Sequence, residues 1–130
     1  MEKIKVAFVC VGNSCRSQIA EGFLRELGSE NFEAYSAGSH PASAIAPLAI
    51  AVMAEKGIDI SSQYSKHYKE LPPLDIVITM GCEVQCPIIP SKFREDWGLA
   101  DPVGKPIEFF REIRDKIEEK VKELINKFKK

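Results

Sequence analysis

Ile4-Lys5-Val6-Ala7-Phe8-Val9, then Cys10-Val11-Gly12-Asn13-Ser14-Cys15-Arg16-Ser17, then Gln18 to Leu27, is the stretch on which the reading of this chain turns. The first run has the β-branched and aromatic content of a buried parallel strand. The last puts Ile19, Ala20, Phe23, Leu24 and Leu27 at helical spacing, which predicts an amphipathic helix. The loop between them therefore closes a strand onto a helix N-terminus. Backbone N–H groups there have no intrahelical partner and the macrodipole is positive, a setting that suits a phosphate-like anion.

Each loop position has a chemical reason. Gly12 and Asn13 are residue types that accept positive φ readily, which a loop needs if its amides are to turn inward around one anion. The expected oxyanion-binding positions are Val11, Gly12, Asn13, Ser14, Cys15 and Arg16. The same positive environment favours a thiolate, so Cys10 is the candidate nucleophile. Arg16 offers a planar fork that can hold two oxygens at once. Ser17 can donate a hydroxyl hydrogen bond to the sulfur, before attack and when sulfur leaves. The stretch has no Gly-Lys-Ser/Thr and is not a nucleotide-binding loop. Taken singly, Cys10 reads as a buried strand-end residue and Arg16 as a surface charge. Together with Ser17 at a strand-to-helix junction, they read as a catalytic unit.

Composition agrees with a compact enzyme. A chain of 130 residues makes one domain, spanning 1–130, that can bury a core without disulfides. With 45% hydrophobic and 28% charged residues and a net charge of -1, nothing attracts the chain to nucleic acid or membrane. Met1-Glu2-Lys3 run straight into the first strand, and no apolar run approaches membrane-spanning length, so the expected compartment is the cytoplasm. In a reducing compartment, four cysteines suggest catalysis or metal binding before structural bridges. Nothing demands an oligomer, and a monomer is expected.

Outward from the loop, strand and helix signals alternate. Phe32 to Ala37 reads as a second strand ending in Gly38. Pro47 to Lys56 reads as a helix that starts on Pro, stops at Gly57 and packs Leu48, Val52 and Met53. Leu74 to Met80 reads as a third, central strand and Asp96 to Leu99 as a short fourth. From Pro106 a long helix repeats Phe110, Ile113, Ile117, Val121, Leu124 and Phe128 at spacings of three and four. This order implies an α/β fold: a parallel sheet with helices on both faces, whose ligands bind beyond the carboxyl ends of the strands.

That rule brings a second site to the first. If the strands from Ile4 and Leu74 are parallel, Cys10 and Gly81-Cys82-Glu83-Val84-Gln85-Cys86-Pro87 leave the same edge of the sheet. On an ideal helix Cys82 and Cys86 would stand about 6 Å apart along the axis, near the upper end of disulfide Cα separations. Pro87 pushes Cys86 out of helical conformation. The expectation is a segment that rearranges when the pair oxidises, with a disulfide easily reduced again, as suits a catalytic relay. A structural pair and a zinc site are the alternatives. The lone C-x3-C has no second ligand pair, and His40 and His67 lack zinc-like spacing.

The loop Cys10 to Ser17, with Ser36-Ala37-Gly38 and Asp101-Pro102, resembles the low-molecular-weight protein tyrosine phosphatase superfamily. Within it, Cys82 and Cys86 resemble the redox pair of the thioredoxin-coupled arsenate reductases, and the likeness runs through Cys86-Pro87-Ile88, Trp97-Gly98-Leu99 and Val103-Gly104-Lys105. The resemblance implies a three-layer αβα sandwich with a four-stranded parallel sheet. It also implies arsenate reduction: Cys10 attacks arsenic, Asp101 acts as general acid, Cys82 resolves the Cys10 adduct, and Cys86 then displaces Cys10. The implied partners are an arsenate or phosphate-like oxyanion and an external thiol reductant, thioredoxin first, with no bound cofactor. Two other functions stand beside it, a phosphatase using Cys10, Arg16 and Asp101, and an oxyanion-binding regulator without turnover.

Three departures from the family pattern bear on function. Val103 and Gly104 follow Asp101-Pro102 where tyrosine-specific members place a tyrosine, leaving Tyr64 and Tyr68 as the candidates for a substitute aromatic wall. Lys66 stands where the potassium-binding members carry an acidic residue beside positions matching Asn13, Glu21 and Ser36, so no potassium requirement is expected. Cys82 and Cys86 are closer together than in the best-known form, which leaves the reductant open. Cys15, which pairs protectively with the nucleophile in the phosphatases, is expected here to serve mainly in packing.

Overall fold

The computed structural model describes residues 3–81 and 89–128. In chain order its elements are β1 (Ile4–Cys10), α1 (Arg16–Gly28), β2 (Phe32–Gly38), α2 (Pro47–Ala54), a 3-10 turn at Tyr68–Glu70, β3 (Ile76–Thr79), β4 (Phe93–Asp96) and α3 (Ile107–Phe128). The strands form one parallel sheet in the order β2-β1-β3-β4, with Cys10 opposite Gly38, Val9 opposite Thr79 and Thr79 opposite Asp96. Their carboxyl ends therefore share one edge. The chain goes from β1 to one side and then crosses to the other, so the end of β1 is the topological switch point where such sheets open a crevice.

The inner strands are apolar throughout because both of their faces are covered. Val6, Phe8, Ile76 and Ile78 join one core cluster with Ile19, Phe23 and Leu24 of α1, Val52 and Met53 of α2, and Ile113, Ile117 and Val121 of α3. Ala7, Val9 and Val77 form a second cluster with Leu74, packed by Tyr35, Leu71 and Ile89. Among the described residues, all three α-helices join the first cluster, while the second is covered by the connection through the 3-10 turn and by Ile89. Among the described residues no helix is long and apolar enough to cross a membrane.

Three sequence expectations shift. The fourth strand is Phe93–Asp96, earlier than Asp96 to Leu99. Its ladder runs through charged, exposed residues of an edge strand, whereas Trp97 and Leu99 owe their burial to packing beyond the sheet, Trp97 against Phe8 at 5.6 Å between ring centroids. Gly98, at φ +59°, turns the chain away from the ladder in a conformation that glycine adopts without strain. In α1, Leu27 is exposed and Gly28 takes the buried place, where a Cβ would lie 3.0 Å from Leu24 Cδ1. In α2, Ala49 is fully buried with Val52 and Met53, and Leu48 is half-buried.

Candidate active site

The loop after β1 is held open from outside. Val11 O accepts from His40 N at 2.9 Å, Gly12 O from Ala42 N at 2.8 Å and Ser14 O from Ala46 N at 2.8 Å. In a trans peptide the carbonyl and the following N–H point opposite ways, so these braces turn the amides of Gly12, Asn13 and Cys15 inward. Asn13 supplies the required turn at φ +51°. Gly38 lies close behind the loop: a Cβ there would stand 2.4 Å from Val11 O. Any side chain at that position would displace the cradle.

Cys10 is 3% exposed at the base of this loop. Asn13 N donates to its Sγ at 3.1 Å, and Ser17 Oγ lies 3.0 Å from the same sulfur. Because Asn13 Nδ2 donates to Ser17 Oγ at 2.7 Å, the hydroxyl hydrogen is free to point at sulfur. Two donors thus converge on one sulfur. Asn13 thus does not line the cavity; its contribution is to the nucleophile.

Arg16 is 7% exposed. Its Nη1 donates to Met80 O at 2.7 Å and Leu99 O at 2.8 Å, joining the end of β3 to the segment after β4. Its Nη2 stands 4.0 Å from Asp101 Oδ2. Among the described residues, Nε of Arg16 is the buried side-chain nitrogen or oxygen that has no hydrogen-bond partner. Leaving such a donor unpaired is costly unless an anion completes it. The cavity above has a volume of about 680 Å³ and is lined by Cys10, Val11, Gly12, Ser14, Cys15 and Arg16, with Gly81, Leu99, Ala100 and Asp101 opposite. Asp101 also accepts from Val103 N at 3.1 Å and from Cys15 Sγ at 3.6 Å.

The structure thus gathers Cys10, Arg16, Ser17, Asp101 and the loop from Val11 to Cys15 in one place. Cys82 and Cys86 lie outside the described residues, as do the rearrangement and disulfide expected of them. Gly81, the residue before Cys82 in the sequence, lines the cavity. Among the described residues no aromatic side chain lines it. Tyr64 instead lies beneath the Lys66 ammonium at 4.5 Å and Tyr68 stacks on His67 at 4.4 Å, so neither supplies the substitute wall.

A strand-loop-helix cradle carrying Cys10, Arg16 and a facing Asp101 is one arrangement; the extent of the match decides how far it reaches. Residues 5–130 match the model of the low molecular weight phosphotyrosine protein phosphatase family. The chain belongs to that family.

Among relatives in the family, the chain is 44% identical to the glutaredoxin arsenate reductase of Synechocystis sp. over 95% of this chain and 97% of that protein. It is similar to the structure of an arsenate reductase in the phosphate-binding state, with a TM-score of 0.87, 42% identity, and coverage of 95% of this chain and 98% of that one. It is also similar to a Corynebacterium glutamicum thioredoxin-dependent arsenate reductase, with a TM-score of 0.78, 37% identity, and coverage of 96% and 61%.

Beneath the family cradle lies a polar layer that the sequence reading only touched. Asn13 Oδ1 accepts from Lys66 N at 3.0 Å, and Asn13 O accepts from Gln18 Nε2 at 3.0 Å and Ser65 Oγ at 2.9 Å. The Lys66 ammonium donates to Ser36 O at 3.1 Å and Tyr64 O at 3.0 Å and lies 3.9 Å from Glu21 Oε1. Burial lowers the Lys66 pKa, and the nearby Glu21 carboxylate opposes that shift. Ser36 and Arg25 both donate to Glu21. Lys66 was readable as a departure. The braces at His40, Ala42 and Ala46 carried no sequence signal, since they act through backbone amides.

Proposed function

We propose that this protein is an arsenate reductase that acts through the Cys10 thiolate and passes the oxidation to Cys82 and Cys86. The observation that carries this reading is that Gly81 lines the cavity of Cys10 and is followed in the sequence by a second cysteine. The names of the similar proteins support the substrate class.

Arsenate is a tetrahedral oxyanion of phosphate-like shape, and the loop amides and Arg16 Nε provide its donors. Cys10 forms a sulfur–arsenic bond as an arsenate oxygen leaves with a proton from Asp101. Cys82 attacks the Cys10 sulfur; a sulfur–sulfur bond forms, the sulfur–arsenic pair goes to arsenic, and As(V) leaves as As(III) arsenite. Cys86 attacks Cys82, releases the Cys10 thiolate, and leaves a Cys82–Cys86 disulfide. An external dithiol protein reduces that bond. Thioredoxin is the first choice, and the glutaredoxin-named relative makes glutaredoxin the second. We place the protein in the cytoplasm, as a monomer.

A phosphatase shares the first step and ends in hydrolysis. The cavity has no aromatic wall among the described residues, which favours reduction over phosphotyrosine hydrolysis and leaves small phosphoester cleavage as a side activity. The test compares wild type with Cys10→Ser, Cys82→Ser and Cys86→Ser, using arsenate with thioredoxin and with glutaredoxin, and separately an aryl phosphate. Arsenate turnover is expected to vanish in all three variants and aryl phosphate hydrolysis only in the first. Arsenate turnover that survives Cys82→Ser overturns the relay.

A further inference from the structure

Cys15 is a second thiol on the wall of the cavity that holds Cys10, and the proposed reaction does not use it. We propose that Asp101 also holds Cys15 as a thiol, and so slows the attack of Cys15 on Cys10 once Cys10 is oxidised. The proposal rests on the reading of Cys10 as the nucleophile.

Cys15 is 3% exposed, and its Sγ lies 3.6 Å from Asp101 Oδ1. An ionised carboxylate can only accept, so the shared hydrogen belongs to sulfur. Losing that hydrogen would remove the bond and set a thiolate against a like charge in a poorly solvated place. Burial first, and Asp101 second, push the Cys15 thiol up to about 12, while Arg16 acts in the opposite direction to a smaller degree. The orientation has a local cause too. Cys15 is the N-cap residue of α1, yet its side chain makes no capping hydrogen bond, unlike the serine or aspartate usual there. Its Sγ instead donates across the cavity mouth to Asp101 Oδ1.

Thiol exchange needs the thiolate, so a cysteine that stays protonated attacks slowly however close it lies. Removing the Asp101 charge raises the Cys15 thiolate fraction. A tenfold gain in that fraction raises the exchange rate only about threefold, because the more stable thiolate is the weaker nucleophile. With hydrogen bond and charge both lost, an acceleration of roughly fivefold is expected.

The test uses Cys82→Ser/Cys86→Ser protein, in which Cys10 and Cys15 are the remaining cysteines. Hydrogen peroxide converts the Cys10 thiolate to a sulfenic acid with release of hydroxide. The Cys15 thiolate then attacks that sulfur, forming the Cys10–Cys15 disulfide and expelling a second hydroxide. The readout is the rate at which dimedone-trappable sulfenic acid gives way to the disulfide, followed by mass spectrometry, so the peroxide step drops out. Asp101→Ala, which loses hydrogen bond and charge, is expected to speed this conversion about fivefold, and Asp101→Asn, whose amide oxygen can still accept from Cys15, about threefold. Adding Cys15→Ala to either is expected to abolish it. Conversion at the unsubstituted rate or slower in the two Asp101 variants overturns the proposal. Survival of arsenate turnover in Cys82→Ser would sink the relay and leave this comparison standing.

Discussion

Replacing Lys66 by methionine removes an ammonium from beneath the cradle and takes one of two cations from Glu21, whose side chain is 5% exposed. At the observed 3.9 Å and an effective dielectric constant of about 20, the gross attraction between the two charges is about 4 kcal/mol. The downward shift of the Lys66 pKa says that its desolvation exceeds this attraction, so the ion pair's net contribution is far smaller than the gross figure. Orphaning a buried charge costs about 3–5 kcal/mol. Glu21 keeps Arg25 and the Ser36 hydroxyl, which brings the expected loss for Lys66→Met to about 2 kcal/mol, or a Tm lower by about 8 °C for a domain of this size. The assay is thermal unfolding in potassium chloride against sodium chloride at one ionic strength, with arsenate turnover measured alongside. Wild type is expected to treat the two salts alike. The variant leaves Ser36 O, Tyr64 O and Glu21 without their internal cation, and potassium at ten times its dissociation constant would restore about 1.4 kcal/mol. Wild-type activity that rises with potassium but not sodium, or a variant as stable as wild type in sodium chloride, refutes the reasoning.

Arg16→Lys removes the fork that grips Met80 O and Leu99 O while Nε stays free; with charge-assisted hydrogen bonds worth about 1.5–3 kcal/mol each, kcat/KM for arsenate is expected to fall at least ~100-fold. A loss under about threefold would contradict that arrangement. Gly38→Ala drives a Cβ to 2.4 Å from the backbone oxygen of Val11 and is expected to cost about 1–3 kcal/mol, read from the urea midpoint, with a parallel loss of turnover. Glu55 is held at about 2, below its ordinary 4.5, chiefly by its hydrogen bond from Arg111 and further by Arg114. A depressed carboxylate stabilises the fold above its unfolded value, so this contribution is present above about 4.5 and is lost as pH falls toward about 2. Urea midpoints measured across that range are expected to fall less steeply in Glu55→Gln than in wild type.

Periodicity gave good access to the elements that bury one continuous face. In α3, Phe110, Ile113, Ile117, Val121 and Leu124 are buried as their spacing predicts, and Phe128, at the helix end, is half-buried. It failed at β4, where the ladder passes through Arg94, Glu95 and Asp96 because an edge strand has little apolar surface to bury. The cradle was legible because its chemistry requires particular side chains: a sulfur at Cys10, a fork at Arg16 and a positive φ at Asn13. What holds it was not. Braces from His40, Ala42 and Ala46 use main-chain N–H groups, which nearly any residue can supply, and Gln18 reads as an ordinary polar helix residue until its buried amide is seen reaching Asn13 and Tyr64.

The grip of Arg16 on Met80 and Leu99, and of the segment from His40 to Ala46 on the loop, has a consequence for how activity is acquired during folding. The nucleophile's surroundings draw on residues near positions 10, 40, 66, 80 and 100, so contacts distant along the chain must close before any anion can be held. No contiguous fragment of the chain carries them all. In a refolding experiment, enzymatic competence should therefore return with the last cooperative phase and not with early helix formation, making turnover a reporter of complete assembly.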